Sequence, residues 1–368
     1  AGSGVGMKGS DMGVFRRAKV LAGVITVGAL IVGGCSSGVA GTDRSSTSAQ
    51  PPPNAGTLQQ AYVSVVRSVL PSVVQITTER DLGSGIVFDT QGHIVTNAHV
   101  VGHASTFQVR LADNPQAIPA TLVGTYPPDD LAVIKLDQPP SSLHPAHFGD
   151  SARLQVGDIV MAMGNPLGLT GSVTEGIVSA TGRAVTEPGT GSAPTETLPE
   201  AIQTSAAINP GNSGGALVDL IGDVIGVPTL IAEEQSENGG GTPAPGIGFA
   251  IPSNVVTDIT GQLIAHNGHV VNSHRAQLGV GVITVVDRTG QPVGIGVVRV
   301  VPAGPAAAAG IQPGETITAV NKTPVRTASE LAQVLAQLQP GQAIPVTVTT
   351  PQGGTHTVTV TLAQLPGS

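Results

Sequence analysis

Apolar and polar residues alternate along most of this chain, in short runs separated by Gly, Pro, Asn and Asp. The first such set covers residues 73–77, 85–88, 93–96, 107–111, 120–123 and 131–136. Period-two alternation bounded by turn residues predicts half-buried strands, and six of them suffice for one closed barrel. A second set runs from Ile159 to Ile251. Helical spacing is rarer. Leu58, Ala61, Tyr62, Val65, Val66 and Val69 recur at three- and four-residue intervals, and Pro71 ends that pattern. Residues 329–338 repeat it with Leu331, Val334, Leu335 and Leu338 on one face, followed by strands at 345–350 and 356–362. The chain is therefore predicted to be mainly β.

Composition agrees. Only 11% of residues are charged and 2% aromatic, while 50 Gly and 29 Pro punctuate the chain, which favours short strands and turns over long helices. The net charge of −8 gives no support for a nucleic-acid partner.

The N-terminal segment departs from this pattern. Lys8, Arg16, Arg17 and Lys19 precede a 13-residue apolar run, residues 20–32, too short for a full span and suited to the apolar region of a signal peptide. Gly33-Gly34-Cys35 follows and resembles a bacterial lipobox, with Cys35 as the lipidation site; an uncleaved signal anchor is the alternative. Either places the rest of the chain outside the cytoplasmic membrane and tethers it there. Cys35 is the single cysteine, so no intramolecular disulfide can form. Residues 36–57, rich in Ser, Thr, Gly and Pro, read as a tether.

Three short motifs carry chemistry. Gly211-Asn212-Ser213-Gly214-Gly215 sets a serine between small residues, which permits a sharp turn and close approach of a substrate carbonyl. Thr96-Asn97-Ala98-His99 ends an apolar run with a candidate base. Asp130 heads the apolar run 131–136. Each alone has a bland reading: a Gly-rich hairpin, a surface imidazole, a strand with a polar start. Together they stand in the order His, Asp, Ser, with separations of 31 and 83 residues that suit two successive barrels.

These motifs resemble the HtrA/Deg family of trypsin-like serine proteases with a C-terminal PDZ domain. The likeness rests on Gly83-Ser84-Gly85-Ile86-Val87, on residues 92–101, 130–136 and 160–168, and on 202–215. It implies a chymotrypsin-like double six-stranded β-barrel at 58–265, a linker at 266–274 and one PDZ domain at 275–365, after the leader (1–35) and tether (36–57). It also implies a metal-free acyl-transfer mechanism without a cofactor: Ser213 as nucleophile, His99 as base and Asp130 as its orienting partner. The oxyanion hole is assigned to Gly211, Asn212 and Ser213, with the N–H groups of Gly211 and Ser213 as the expected donors. Ala207, six residues before the nucleophile, stands where enzymes specific for basic residues carry an acid. With Gly226, Val227 and Pro228 as the opposite wall, the pocket is expected to favour cleavage after small or medium apolar residues.

Two positions depart from the family pattern. Ser205 replaces a common aspartate, and Pro210 precedes Gly211, where it either preorganises the oxyanion loop or slows its activation. The polar stretches 183–200 and 232–245 are expected to be regulatory loops. Gln277, Leu278, Gly279 and Val280 resemble a PDZ carboxylate loop, so the expected partners are unfolded proteins and peptides with exposed apolar C-termini. The family also implies a homotrimer with contacts near residues 58–70. His144, His147, His266, His269 and His274 read as solvated positions rather than metal ligands. The rival from another class is a peptide-binding chaperone whose triad is seldom used. An α/β-hydrolase esterase is disfavoured because its Ser-Asp-His order is absent.

Overall fold

The computed structural model describes residues 55–78, 81–112, 114–165, 171–187, 196–209, 211–235 and 241–366. The leader, Cys35 and most of the tether lie outside the described residues, as does Pro210.

Helix α1 (Ala55–Val69) opens the described part and buries Val65 and Val69. Pro71, within the 3-10 turn that follows it, prevents the helix from continuing. Strands β1 (Val73–Thr77), β2 (Leu82–Val87) and β3 (His93–Thr96) lead to the one-turn helix α2 (Ala98–Val101). Strands β4 (Thr106–Leu111), β5 (Asn114–Tyr126) and β6 (Leu131–Leu136) complete a closed barrel of order β1-β2-β3-β6-β5-β4. β4 shows the alternation that its sequence predicts, with Phe107, Val109 and Leu111 inward and the residues between them exposed.

The second barrel repeats this plan. Its strands are β7 (Ile159–Gly164), β8 (Ser172–Glu187), β9 (Glu196–Thr204), β10 (Ala216–Val218), β11 (Val224–Gln235) and β12 (Gly241–Pro252), in the order β10-β11-β12-β9-β8-β7. Met161, Leu217 and Ile251 are fully buried there; each side chain removed from water is worth about 1.5–3 kcal/mol.

Two expected loops are partly strand. β8 and β9 pair as far as Glu187↔Glu196, and β11 and β12 as far as Gln235↔Gly241, so backbone pairing claims much of 183–200 and 232–245.

Helix α3 (Ser253–Ala265) packs Val256, Ile259 and Leu263 into the core. The segment after it corrects the expectation of a solvated linker. The side chain of Gln262 accepts from the N–H groups of Val271 and Asn272 (3.0 and 2.8 Å) and donates to Asn272 O. Val270 and Ser273 are buried. Gly268 presses against Gly124 so closely that a Cβ on Gly124 would lie 2.5 Å from the Gly268 Cα. The histidines at 266, 269 and 274 do point to solvent, but their backbone is pinned to the first barrel and to α3.

The C-terminal unit holds β13 (Ala276–Gln277), β14 (Val280–Val286), β15 (Pro292–Val300), α4 (Pro305–Ala308), β16 (Thr316–Val320), β17 (Thr323–Pro324), α5 (Ala328–Ala336), β18 (Ala343–Thr349), β19 (Thr355–Thr361) and β20 (Ala363–Gln364). Its sheet runs β14-β15-β16-β18-β19, so β14 is an edge strand. α5 is capped by Thr327, whose Oγ1 accepts from Glu330 N (3.1 Å), and it ends two residues earlier than the apolar spacing predicts. Among the described residues no helix is long and apolar enough to cross a membrane.

Candidate active site

Strand register brings the first two candidate residues together. β3 and β6 are antiparallel neighbours with Thr96 opposite Ala132. The chain leaving β3 therefore runs beside the chain entering β6, and residues 31 positions apart meet. Asp130 follows a 3-10 turn at Pro127–Asp129 and adopts the left-handed region (φ 50°), which aspartate tolerates better than most residues.

The Asp130 carboxylate is almost fully buried and well satisfied. It accepts from His99 N (2.9 Å), pairs with His99 Nδ1 (2.8 Å) and accepts from the Thr229 hydroxyl. Its carbonyl accepts from Ala98 N (3.1 Å) and Asn97 Nδ2 (3.0 Å). A buried carboxylate on Nδ1 orients the ring and leaves Nε2 as the working nitrogen. His99 is half exposed, as a group that must meet substrate has to be.

Asp129 has a different fate. It is buried against Arg275, whose Nη1 donates to Asp129 Oδ1 (3.0 Å) and to Pro128 O. Burial pushes the Asp129 carboxyl up to about 6, and the Arg275 guanidinium pulls it back. Of the two adjacent aspartates, only Asp130 reaches the histidine.

Ser213 lies on the turn between β9 and β10. Gly211 has φ +115°. Gly214, at φ +77°, abuts Ser84 O and Thr96 Oγ1 of the first barrel, where a Cβ has no room. Gly214 N–H donates to Pro228 O (3.0 Å), and Ser84 N–H donates to Ser213 O (3.2 Å). The nucleophile turn is thus pressed against β2 and against the end of β3, the strand that leads to the histidine.

Asn212, assigned to the oxyanion hole with Gly211 and Ser213, donates its N–H to Asn209 O (3.1 Å) and closes the turn on itself. Its side chain braces the turn as well: Oδ1 accepts from Asn209 N (3.0 Å) and Nδ2 donates to Ala207 O (3.0 Å).

The predicted pocket divides in the same way. Ala207 is exposed, and its carbonyl also accepts from Thr174 Oγ1 (2.8 Å). Gly226 and Pro228 are buried in β11, and Val227 lies wholly within the core cluster with Met161 and Leu131. Residues 224–229 are all buried, and Val227, wholly within that cluster, is core rather than an open pocket wall. Ser205 has a structural partner: its Oγ accepts from Ile177 N (3.0 Å).

The sequence motifs assign Thr229 and Ser84 no role in positioning the triad: Thr229 ends the stretch 224–229 expected to line the pocket, and Ser84 stands within Gly83-Ser84-Gly85. A polar residue fully buried inside a strand is the signal that both share, and burial becomes visible only in the fold.

The Gln277–Val280 loop is held from behind. Gly279 O accepts from Val301 N (2.8 Å), and Leu278 O accepts from Ala306 N (2.9 Å). Leu278 is buried, and Gly279 turns at φ +72°. A cavity of about 830 Å³ opens beside the loop. Leu331 and Leu335 of α5 line one side, while Leu198 of β9 with Val255 and Asp258 of α3 line the other. Among the described residues no three His, Cys, Asp or Glu side chains converge as metal ligands.

Comparison with known proteins extends these observations. The sequence pattern of the trypsin-like peptidase domain matches residues 83–227, and that of the PDZ domain matches 296–349. The chain is 36% identical to serine protease PepD of Mycobacterium tuberculosis, over 95% of this chain and 79% of that protein. It is 39% identical to a probable periplasmic serine endoprotease, DegP-like, of Brucella suis, over 77% of this chain and 53% of that one. Among solved structures, the HtrA-type protease AlgW with decapeptide aligns with 83% of this chain and 99% of its own, with TM-score 0.55 and 32% identity.

Proposed function

The chain belongs to the HtrA/Deg family of trypsin-like serine endopeptidases with a PDZ domain, and from that premise we propose that Ser213, His99 and Asp130 perform its acyl transfer. Ser213 Oγ attacks the scissile carbonyl and forms the C–O bond while its proton passes to His99 Nε2. The same proton then goes to the leaving amine as the C–N bond breaks. Water repeats the sequence on the acyl-enzyme and releases the carboxylate product. Asp130 holds the ring through Nδ1 and stabilises the imidazolium, and Thr229 holds Asp130 in turn. The N–H groups of Gly211 and Ser213 receive the oxyanion; losing one such donor costs roughly 2.7–4 kcal/mol of barrier. The observation that carries this reading is the buried hydrogen-bond chain from Thr229 through Asp130 to His99.

Ala207, uncharged and exposed, supports cleavage after Val, Ala or Leu. The cavity between the Gln277–Val280 loop, α5 and β9 supports capture of peptides with apolar C-termini. The basic-apolar leader and the probable periplasmic relative support work outside the cytoplasm, tethered through Cys35 or an uncleaved anchor; membership of the family is the ground for proposing misfolded or signalling proteins as substrates and a homotrimer as the assembly. Fluorophosphonate labelling, with and without an apolar C-terminal peptide, tests the site. Wild type is expected to label and cleave an unfolded protein, and Ser213→Ala to do neither. Labelling that survives in Ser213→Ala overturns the assignment.

A further inference from the structure

Ser84 lies in β2 of the first barrel, and its side chain is fully buried. Four hydrogen bonds converge on this one residue. Its Oγ donates to Gly211 O and accepts from Asn165 N (2.8 Å). Its N–H donates to Ser213 O (3.2 Å), and its carbonyl accepts from Thr96 Oγ1 (2.7 Å). Thr96 precedes His99 by three residues, Gly211 and Ser213 belong to the nucleophile turn, and Asn165 follows β7. One serine thus links the histidine strand of the first barrel to two segments of the second.

The bond to Gly211 matters most. Gly211 has no side chain to hold its orientation, and glycine crosses between backbone regions at little cost. What aims it must come from outside. Ser84 grips its carbonyl, and Asn212 N–H closes the turn onto Asn209 O. A hydroxyl is suited to this place because it donates to Gly211 O and accepts from Asn165 N at once. The approach is tight on the far side as well: a Cβ on Gly164 would lie 2.6 Å from Gly211 O.

We infer that Ser84 is a positioning residue for the oxyanion turn: its hydroxyl holds the Gly211 carbonyl and its N–H holds the Ser213 carbonyl, so the turn that presents the Gly211 and Ser213 N–H groups to the developing negative charge is fixed at both ends. The inference rests on the reading of Ser213 as nucleophile. Ser84 does not touch substrate and acts only through Gly211 and Ser213.

The test uses the full chain, a peptide substrate with Val at the cleaved bond, and a peptide aldehyde of matching sequence, which forms a tetrahedral adduct. Misplacing catalytic groups by about 1 Å costs on the order of 100-fold. Ser84→Ala is therefore expected to lower kcat by roughly 10–100-fold. KM should stay within about twofold, and the aldehyde should weaken by the same factor as kcat/KM, since both report oxyanion stabilisation. Ser84→Cys, a weaker donor of similar size, should fall between. A loss confined to KM, or a fall in kcat with unchanged aldehyde affinity, overturns the assignment. If Ser84→Ala does not fold, as its thermal melt will report, Ser84→Cys decides: wild-type kcat and aldehyde affinity there sink the idea. Ser213→Ala separates the two readings. If it still cleaves, the triad itself fails. If it is inactive while Ser84→Ala matches wild type, only the role of Ser84 falls.

Discussion

The protease cleft and the cavity beside the Gln277–Val280 loop, proposed above as a peptide groove, are built from different materials. The cleft is held by buried polar side chains with matched partners: Thr229 on Asp130, Asn97 on the Asp130 carbonyl, Ser84 on Gly211, Asn212 on Ala207. The groove is lined by Leu331 and Leu335, and its loop is held by backbone bonds to Val301 and Ala306. The difference follows from the tasks. Stabilising charge at one point requires directional groups fixed to fractions of an ångström. Accepting many C-terminal sequences requires an edge strand and an apolar trough, which are indifferent to most side chains. Arg275 stands where the two meet, reaching from the base of the PDZ unit to the turn that carries Asp129.

The comparison breaks first at Asp130. Asp130→Asn keeps the shape but offers Nδ1 the wrong partner, and kcat should fall by about ten-thousand-fold; near-wild-type hydrolysis of the Val peptide would refute the polar-network account. Thr229→Val removes one hydrogen bond to a buried charge, typically worth about 1.5–3 kcal/mol, so kcat/KM should drop roughly 10–100-fold with KM little changed. Leu335→Asp should weaken binding of an apolar C-terminal peptide by about tenfold or more in fluorescence anisotropy, while cleavage of an unfolded protein continues. Equal damage to both functions would show that groove and cleft are not separable.

Asp129→Asn sharpens the boundary and should have the smallest effect. The carboxyl is pushed up from 3.8 to about 6, so it binds its proton more tightly in the folded state than in the unfolded one. Its stabilising contribution is full below about pH 4 and is lost as the pH rises through about 6. Thermal melts from pH 4 to 7 should therefore show a downward slope in wild type that Asp129→Asn flattens by a few degrees.

How far the sequence could be read depended on what each residue answers to. Period-two alternation marked β4, whose pleat turns every second residue inward, while β3 and β6, buried on both faces, showed as short apolar runs. The pairing of His99 with Asp130 follows from local motifs at the edges of β3 and β6, and the Ser213 motif is equally local. Val227, expected in the pocket wall, is buried in the core, because a run such as Val224-Ile225-Gly226-Val227 does not announce which of its side chains the second barrel closes over. Asn212 carries a local signal, yet its N–H closes a turn whose geometry needs coordinates. Thr229 and Ser84 act across the gap between barrels, over 99 and 127 positions of chain, where no spacing rule reaches.

The Ser84 contacts also bear on when the enzyme becomes dangerous. The turn that carries Ser213 is encoded in the second barrel but leans on a strand of the first. Neither half of the polypeptide holds the whole site by itself, because His99 and Asp130 stand in the first barrel and Ser213 in the second. Competence arrives with docking and departs if the halves part. In a protease made this way, incomplete assembly is a safety catch in itself.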